Sequence, residues 1–330
     1  MNNKYYLLSE IKNKLVSKKE LEKLCEQKKI KGAKYLKDKD TYLLPFSYLD
    51  SYIKTIKSSL SKKKEHELKV NAAKIRLEAL NCVYNAKSGH IGGSLSIAEI
   101  LSYLYFYKLN IDINNDKMES RDRLVLSKGH CTPALYSTLA LRGFFPVSEL
   151  ASFRKTNHFL QGHPDVKGTK GVDMTTGSLG LGFSAACGMA LSAKLENKDY
   201  KVYAILGDGE IQEGQIWEAS MFAGAKKLDN LCALVDYNSL QISGKVSEVL
   251  NIDPLDEKFA SFGWNVVTVD GHDICEIDKA MKLFEKSSLP MLIILKTIKG
   301  KGVSFMENQA GWHGKAPNDE QLNQALEELK

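Results

Sequence analysis

Apolar runs of strand length recur five times in the chain, at 123–126, 201–206, 231–235, 266–269 and 291–295. Helical spacing of apolar residues separates most of them, at 183–195, 216–225 and 274–284. A run without polar alternation is buried on both faces, and strands of that kind belong inside a parallel sheet. Their alternation with helices predicts an α/β fold, a mostly parallel sheet covered by helices on both faces. Two earlier helices read from the same spacing, at 68–86, where Ala72, Ile75, Ala79, Leu80 and Val83 recur, and at 97–106. In open sheets of this class ligands bind beyond the carboxyl ends of the strands. The residues that follow each run therefore carry the functional reading.

The run at 201–206 ends in Gly207-Asp208-Gly209, with Glu210 and Glu213 close behind, and the next run ends in Asp236-Tyr237-Asn238. Crowded carboxylates repel one another unless a cation or ligand needs them there. Asp208 and Asn238 offer a carboxylate and an amide oxygen at neighbouring strand ends. A hard cation such as Mg²⁺ accepts that pair when phosphate oxygens and water complete its shell. Gly207 and Gly209 let backbone N–H groups approach a phosphate, and a helix N-terminus adds favourable potential. The pattern predicts a metal–diphosphate site. The sequence holds no Gly-x-x-x-x-Gly-Lys-Ser/Thr loop for a nucleoside triphosphate and no Gly-x-Gly-x-x-Gly turn for a dinucleotide. Gly300-Lys301-Gly302 reads as a flexible loop. His90, His130, His163 and His313 each lie beside a glycine, in loop context. One such histidine is an ordinary turn residue; four predict a site lined by imidazoles that donate to phosphate or carry protons. Zinc is an alternative, but the spacings are long and irregular for it.

The 330 residues, 43% of them hydrophobic, suffice for a large domain with an extension. The net charge of +6 is unevenly placed. The first 70 residues carry 18 lysines, no arginine and 9 acidic residues, or +9, which leaves −3 for the rest. The body thus gives no electrostatic reason to invoke nucleic acid or anionic lipid. The charge break coincides with Ser58-Ser59-Leu60-Ser61-Lys62-Lys63-Lys64, read as a linker at 58–67 between a basic unit at 1–57 and a domain at 68–330. Within the unit, 7–11 and 17–24 read as short helices, the second capped by Ser17 with Glu20 in the reciprocal position. Lys31-Gly32 makes a turn, 42–45 a short strand of a pair, and 47–56 a last helix. The six cysteines show no Cys-x-x-Cys spacing, and no apolar run reaches the roughly 18 residues of a membrane span. Met1-Asn2-Asn3-Lys4-Tyr5 does not open a signal peptide, so the expected location is the cytoplasm.

Helix, helix, strand pair and helix in the first unit resemble the winged-helix module of excisionases and MerR-type regulators, which implies DNA contact. Lysine without arginine gives charge but little base readout, so a solvated or packed appendage is the preferred reading. From 68 to 317 the chain resembles the N-terminal, diphosphate-binding domain of transketolase. The resemblance is carried by Ala86-Lys87-Ser88-Gly89-His90, by Asp122 to His130, by Gly162-His163-Pro164-Asp165 and by Thr175-Thr176-Gly177-Ser178-Leu179-Gly180. Gly207-Asp208-Gly209 with Gln212-Glu213-Gly214, then Asn238, then Ala310-Gly311-Trp312-His313-Gly314 follow in the family's order.

The resemblance implies thiamine diphosphate as cofactor, held with Mg²⁺ or Ca²⁺ by Asp208, the Asn238 side chain and the Leu240 carbonyl. It sets His130, Gly209 and His313 around the diphosphate, with Gly207 also in the cofactor site. Gly177 and Leu179 flank the aminopyrimidine, and Ile242 props the bent cofactor. His90, His163 and His313 face the substrate, and Glu213 belongs to a proton network at the subunit interface. Glu210 reads as solvent-facing. The implied activity moves a two-carbon ketol unit from a ketose phosphate to an aldose phosphate. A full transketolase continues with a pyrimidine-binding and a C-terminal domain. This sequence stops soon after His313, with 318–330 as a closing helix. It therefore resembles the N-terminal subunit of a split transketolase, expected as α2β2 with a C-terminal subunit. Leu181 departs from the family's usual glutamine. Deoxyxylulose-phosphate synthase shares the Ser-Gly-His loop and the metal signature, but the residues around His130 and at 259–273 look like transketolase. Two alternatives stay open: a split ketolase for a sulfo- or branched sugar, and a DNA-binding regulator with a thiamine-sensing domain. Substrate-facing histidines argue against the regulator.

Overall fold

The computed structural model describes residues 5–8, 11 and 15–330. The first elements are β1 (Tyr5–Leu7), α1 (Lys18–Glu26), β2 (Lys34–Leu36), β3 (Thr41–Pro45) and α2 (Tyr48–Tyr52). β3 lies between β1 and β2 in an antiparallel sheet. The helix expected at 7–11 is not seen at its start: Leu7 closes β1, paired with Leu43, while Ser9 and Glu10 lie outside the described residues. Aromatic and apolar residues in Tyr5-Tyr6-Leu7 suit a half-buried strand. Ser17 caps α1 by accepting from Glu20 N. The Glu20 carboxylate turns elsewhere, accepting from the Tyr52 hydroxyl at 3.4 Å.

The chain continues through α3 (Lys62–Ala86), α4 (Gly92–Leu95), α5 (Ala98–Tyr103), β4 (Arg123–Leu126), α6 (Thr132–Arg142) and α7 (Leu181–Leu195). Then come β5 (Val202–Gly207), α8 (Gly214–Ala225), β6 (Leu231–Tyr237), and the small hairpin of β7 (Leu240–Gln241) and β8 (Gly244–Lys245). α9 (Val246–Val249), α10 (Leu255–Ser261), β9 (Asn265–Asp270), α11 (Ile274–Lys286), β10 (Met291–Lys296) and α12 (Asp319–Glu328) complete it. The helix expected at 97–106 is α5 followed by a wider π turn at Leu104–Lys108. α3 begins inside the expected linker. Ser61 caps it by accepting from Lys64 N, and a serine before Lys-Lys-Lys-Glu is a helix start as well as a polar run. The preceding serines are tied down: Ser58 Oγ and Ser59 N donate to Asp278 at 2.9 and 2.7 Å.

β4, β5, β6, β10 and β9 lie side by side in that order, and every neighbouring pair is parallel. Alternate residues feed two cores. Val202, Ala204 and Leu206 of β5 join Phe183, Ala186 and Ala190 of α7. Tyr203 and Ile205 join Ile75, Leu101 and Phe284 on the opposite face. The uninterrupted apolar run of β10 is buried from Met291 to Leu295, as a strand covered on both sides must be. Leu21, Leu44, Leu49 and Ile53 of the first unit belong to the second of these cores. α2 lies against the edge strand β9, where the Asp50 carboxylate accepts from Thr268 N at 2.7 Å. Among the described residues no helix is long and apolar enough to cross a membrane.

Candidate active site

Register places Gly207 of β5 opposite Asp236 of β6, so the turns after both strands emerge together. The Asp208 carboxylate spans the gap. One oxygen accepts from Gly209 N at 2.8 Å and the other from Ser239 N in the turn after β6. Asn238 Oδ1 accepts from Leu240 N at 3.1 Å, and its amide donates to Asp236 at 3.0 Å. The Leu240 carbonyl accepts from Lys299 Nζ at 3.0 Å. Asp208 is only 2% exposed. Burial and then the neighbouring Asp236 push its carboxyl up to about 7. Asp236 differs: burial opposes its charge, but the buried Lys128 ammonium beside it holds it below the usual carboxylate range, with Ser96 and Thr297 as further donors.

A pocket of about 310 Å³ opens over these turns. Gly177 and Leu179, from the loop before α7, line it together with His90, His130 and His313. Gly129 permits this approach: a Cβ there would fall 2.5 Å from Thr176 Oγ1 and 3.0 Å from Gly177 N. The rings of His90, His130 and His313 lie with centroids 5.1 to 5.4 Å apart. His163 stands just outside, its centroid 6.4 Å from that of His90. All four are held neutral. Burial, then Arg154 and His163, lower His90 to about 4. Burial and Lys299 lower His313 to about 3. Burial and Lys128 lower His130 well below its ordinary value, and burial and Arg154 lower His163. Glu213 and Ile242 sit on the rim, Ile242 with 70% of its surface exposed.

The fold brings the groups read from the sequence to one pocket, except His163 just outside it, and one reading is reversed. Glu210 is not solvent-facing. It is buried, and it accepts from Ser127 Oγ, from Gly180 N at 2.9 Å and from Gly207 N at 3.0 Å. The turn at Glu210–Gln212 points it back under the sheet end instead of outward. Lys128 and Lys299, both 2% exposed, were missed. Lys299 Nζ lies 2.9 Å from His313 Nδ1. Their signal was position: each lysine directly follows the end of a strand or its loop and directly precedes a glycine.

The residues fit the cation and diphosphate that the sequence implied. Each oxygen of Asp208, Asn238 Oδ1 and the Leu240 carbonyl accepts one donor in the bonds above and keeps a second lone pair. Asp208 has no cationic side chain bonded to it among the described residues, so its charge calls for a counter-ion. Two buried ammonium groups and three neutral imidazoles supply donors for a polyanion. Among the described residues no group of three His, Cys, Asp or Glu side chains comes together as a metal site, which leaves the zinc alternative without a ligand set.

A parallel α/β domain that gathers a buried carboxylate, an amide oxygen and anion donors at adjoining strand ends fits a class: proteins that hold a diphosphate cofactor. Residues 67–329 match the thiamine diphosphate binding domain of transketolase, and the chain belongs to that family. Transketolases are transferases, and this chain is of that enzyme class. It is 46% identical over 265 residues to the 6-deoxy-6-sulfo-D-fructose transketolase subunit of Clostridium sp. (strain MSTE9), covering 80% of this chain and 96% of that protein. It is 40% identical over 263 residues to an apulose-4-phosphate transketolase subunit of Phocaeicola vulgatus, covering 79% of this chain and 93% of that one. The crystal structure of transketolase from Campylobacter jejuni superimposes with a TM-score of 0.76 at 36% identity, over 80% of this chain but 43% of that one.

Proposed function

We propose that this chain is the diphosphate-binding subunit of a two-subunit transketolase. It would transfer a two-carbon ketol unit between sugars only when a second subunit supplies the pyrimidine-binding and C-terminal domains, in an α2β2 assembly. The observation that carries the reading is the buried, uncompensated Asp208 carboxylate at adjoining strand ends, under a group of neutral imidazoles. The near-complete cover of two relatives that are themselves subunits supports the split.

In this reading Asp208, Asn238 and the Leu240 carbonyl hold Mg²⁺ or Ca²⁺, and Lys299, His130 and His313 stand where donors to the diphosphate are needed. Thiamine diphosphate, when bound, supplies the carbon nucleophile that splits a C–C bond beside a ketose carbonyl. The chain's own part is to bind, to orient and to move protons. Neutral His90, His163 and His313 donate to substrate oxygens from one ring nitrogen and can take up a proton on the other, which a charged imidazolium cannot. Gly177 and Leu179 flank the cofactor ring, Ile242 supports it, and exposed Glu213 joins the partner interface. A ketose carrying a sulfo group or a branched carbon is the favoured donor over an ordinary sugar phosphate, because the two subunit-length relatives are named for such sugars.

The first 57 residues form a separate winged-helix-like unit in this proposal. The family match starts only at residue 67, and the unit has its own antiparallel sheet. Its packing onto β9 supports an appendage more than a free DNA-reading head. Six unbridged cysteines suit a cytoplasmic location.

Calorimetry with thiamine diphosphate, with and without Mg²⁺, tests the site. Asp208→Ala should weaken metal-dependent binding at least tenfold, on the order of what loss of a metal-site group costs, without unfolding the chain. Unchanged affinity in that variant removes the metal assignment. Ketol transfer should appear only on adding the second subunit, and full turnover by this chain alone would end the split reading.

A further inference from the structure

Two structural costs coincide at Arg154. Its backbone is left-handed, at φ +61°, which a residue with a Cβ seldom adopts. Its Nε–H is buried without a hydrogen-bond partner, one of two such side-chain atoms among the described residues. Both costs lie where the guanidinium stands beside His90 and against Gly162, the residue before His163. Nη1 donates to Ser88 Oγ at 2.6 Å, two residues before His90. Nη2 stands 3.5 Å from His90 Nδ1. On the far side Gly162 closes on the guanidinium, since a Cβ there would fall 2.9 Å from Nε, and His163 is the next residue. Arg154 N donates to Leu160 O at 2.8 Å and fixes the turn that delivers them.

We propose that Arg154 is a positioning residue for ketol transfer, holding His90 in one orientation and one tautomer, with its proton on Nε2. A guanidinium has donors only, so the ring nitrogen that faces it must accept. A neutral imidazole then carries its proton on the other nitrogen. The Cδ2–Nε2 edge of His90 points toward Gly314, 3.5 and 3.7 Å from an ideal Cβ there. That edge lies beside His313, whose ring centroid is 5.4 Å from that of His90. His90 therefore meets the pocket as a donor. The same fixed cation adds to burial in keeping His90 and His163 neutral. His130, His163, His313 and Lys299 are the other titratable groups around the ring, and none of them is an acid that would compete for Nδ1–H. The inference rests on the reading of His90 as substrate-facing, but its first test does not.

The full chain with isotopically labelled histidine reports the tautomer by NMR near neutral pH, with His90 assigned by its loss in His90→Gln. The unaltered chain should show Nδ1 unprotonated and Nε2 protonated. Arg154→Met should give an averaged mixture, and Arg154→Lys should restore part of the original signature. A His90 protonated on Nδ1, or a tautomer unmoved by Arg154→Met, overturns the proposal. Should Arg154→Met fail to fold, Ser88→Ala releases Nη1 and is read the same way. In the reconstituted enzyme Arg154→Met should lower kcat/KM about tenfold or more, as misplacement of a reacting group does, with partial rescue by lysine. A shifted tautomer with unaltered turnover would overturn instead the substrate-facing role of His90.

Discussion

Glu210 ties three turns together at one carboxylate: Ser127 after β4, Gly180 before α7 and Gly207 at the end of β5. Each turn delivers part of the pocket, and Glu210 itself lines its floor, so this residue holds the site together from within. Glu210→Ala would leave three buried donors unpaired, at about 1–3 kcal/mol each. The expected loss is at least about 3 kcal/mol in a denaturant titration, with a weakened hold on the diphosphate. Glu210→Gln keeps the shape but sets an amide N–H₂ against one of the two backbone N–H groups, and should fall between. An alanine variant as stable as the parent would mean the turns hold themselves. Asp208, Asn238 and the glycine-flanked histidines were legible because their residue types are wasted on ordinary turns. Glu210 was not legible, and Lys128 and Lys299 offered only their place before a glycine after a strand end. A lone charged residue in a sequence reads as solvated, and only tertiary neighbours such as Ser127 or Asp236 show that its charge is used inside.

At the scale of elements, the five apolar runs were legible because strands buried on both faces lose polar alternation. Their order in the sheet was not, since the step from β6 to β10 and then β9 depends on crossovers that no local pattern encodes. The start of α3 was misread for a local reason: serine and lysine are residues of linkers and also of helix starts. The charge break marks off the first unit but does not say whether it is solvated or packed, because its docking depends on a few groups. Asp50 is the one with a testable pH signature. Burial raises its carboxyl from 3.8 to about 6, against the opposing N–H of Thr268. A folded pKa above the unfolded one means that the folded chain keeps a proton the unfolded chain releases. Stability from this group is therefore full below about 4, declines as pH rises toward about 6, and is flat above. Asp50→Asn keeps the acceptor and removes the dependence. Between about pH 4.5 and 7 the variant should gain about 2 kcal/mol on the parent in urea unfolding. Parallel pH profiles for the two proteins would show that the docking carboxylate is already ionised without penalty.

At one end of its sheet the molecule buries two lysines, Lys128 and Lys299, among the imidazoles of the site. Lys128 is paired with Asp236, but Lys299, crowded by burial and Lys128, is pushed below its ordinary value. The imidazoles of His90, His130 and His313 are held neutral by the same crowding. A site built for a polyanion must carry this strain whenever the polyanion is missing, and the strain has a direction on the pH axis. These histidines have folded pKa values below the unfolded value of 6.5, so the unfolded chain takes up protons that the folded chain refuses. Their contribution is intact above about 6.5 and is lost as pH falls toward 4 for His90 and 3 for His313. Each can remove up to about 1.4 kcal/mol per pH unit, an upper bound that solvent screening reduces for the partly exposed His90 and His313. His163, on the exposed side, adds less because solvent screens it. Against a typical stability of about 5–15 kcal/mol, that loss weakens the cofactor-free chain progressively as pH falls below about 6.5. Pyrophosphate with Mg²⁺, placed among the same groups, makes their protonation cheaper and should move the acid midpoint downward. Thermal melts across pH, with and without pyrophosphate and Mg²⁺, measure both effects. A midpoint that neither falls steeply below pH 6.5 nor responds to the anion would mean the imidazoles stand in water, and the cradle for the diphosphate would lie elsewhere.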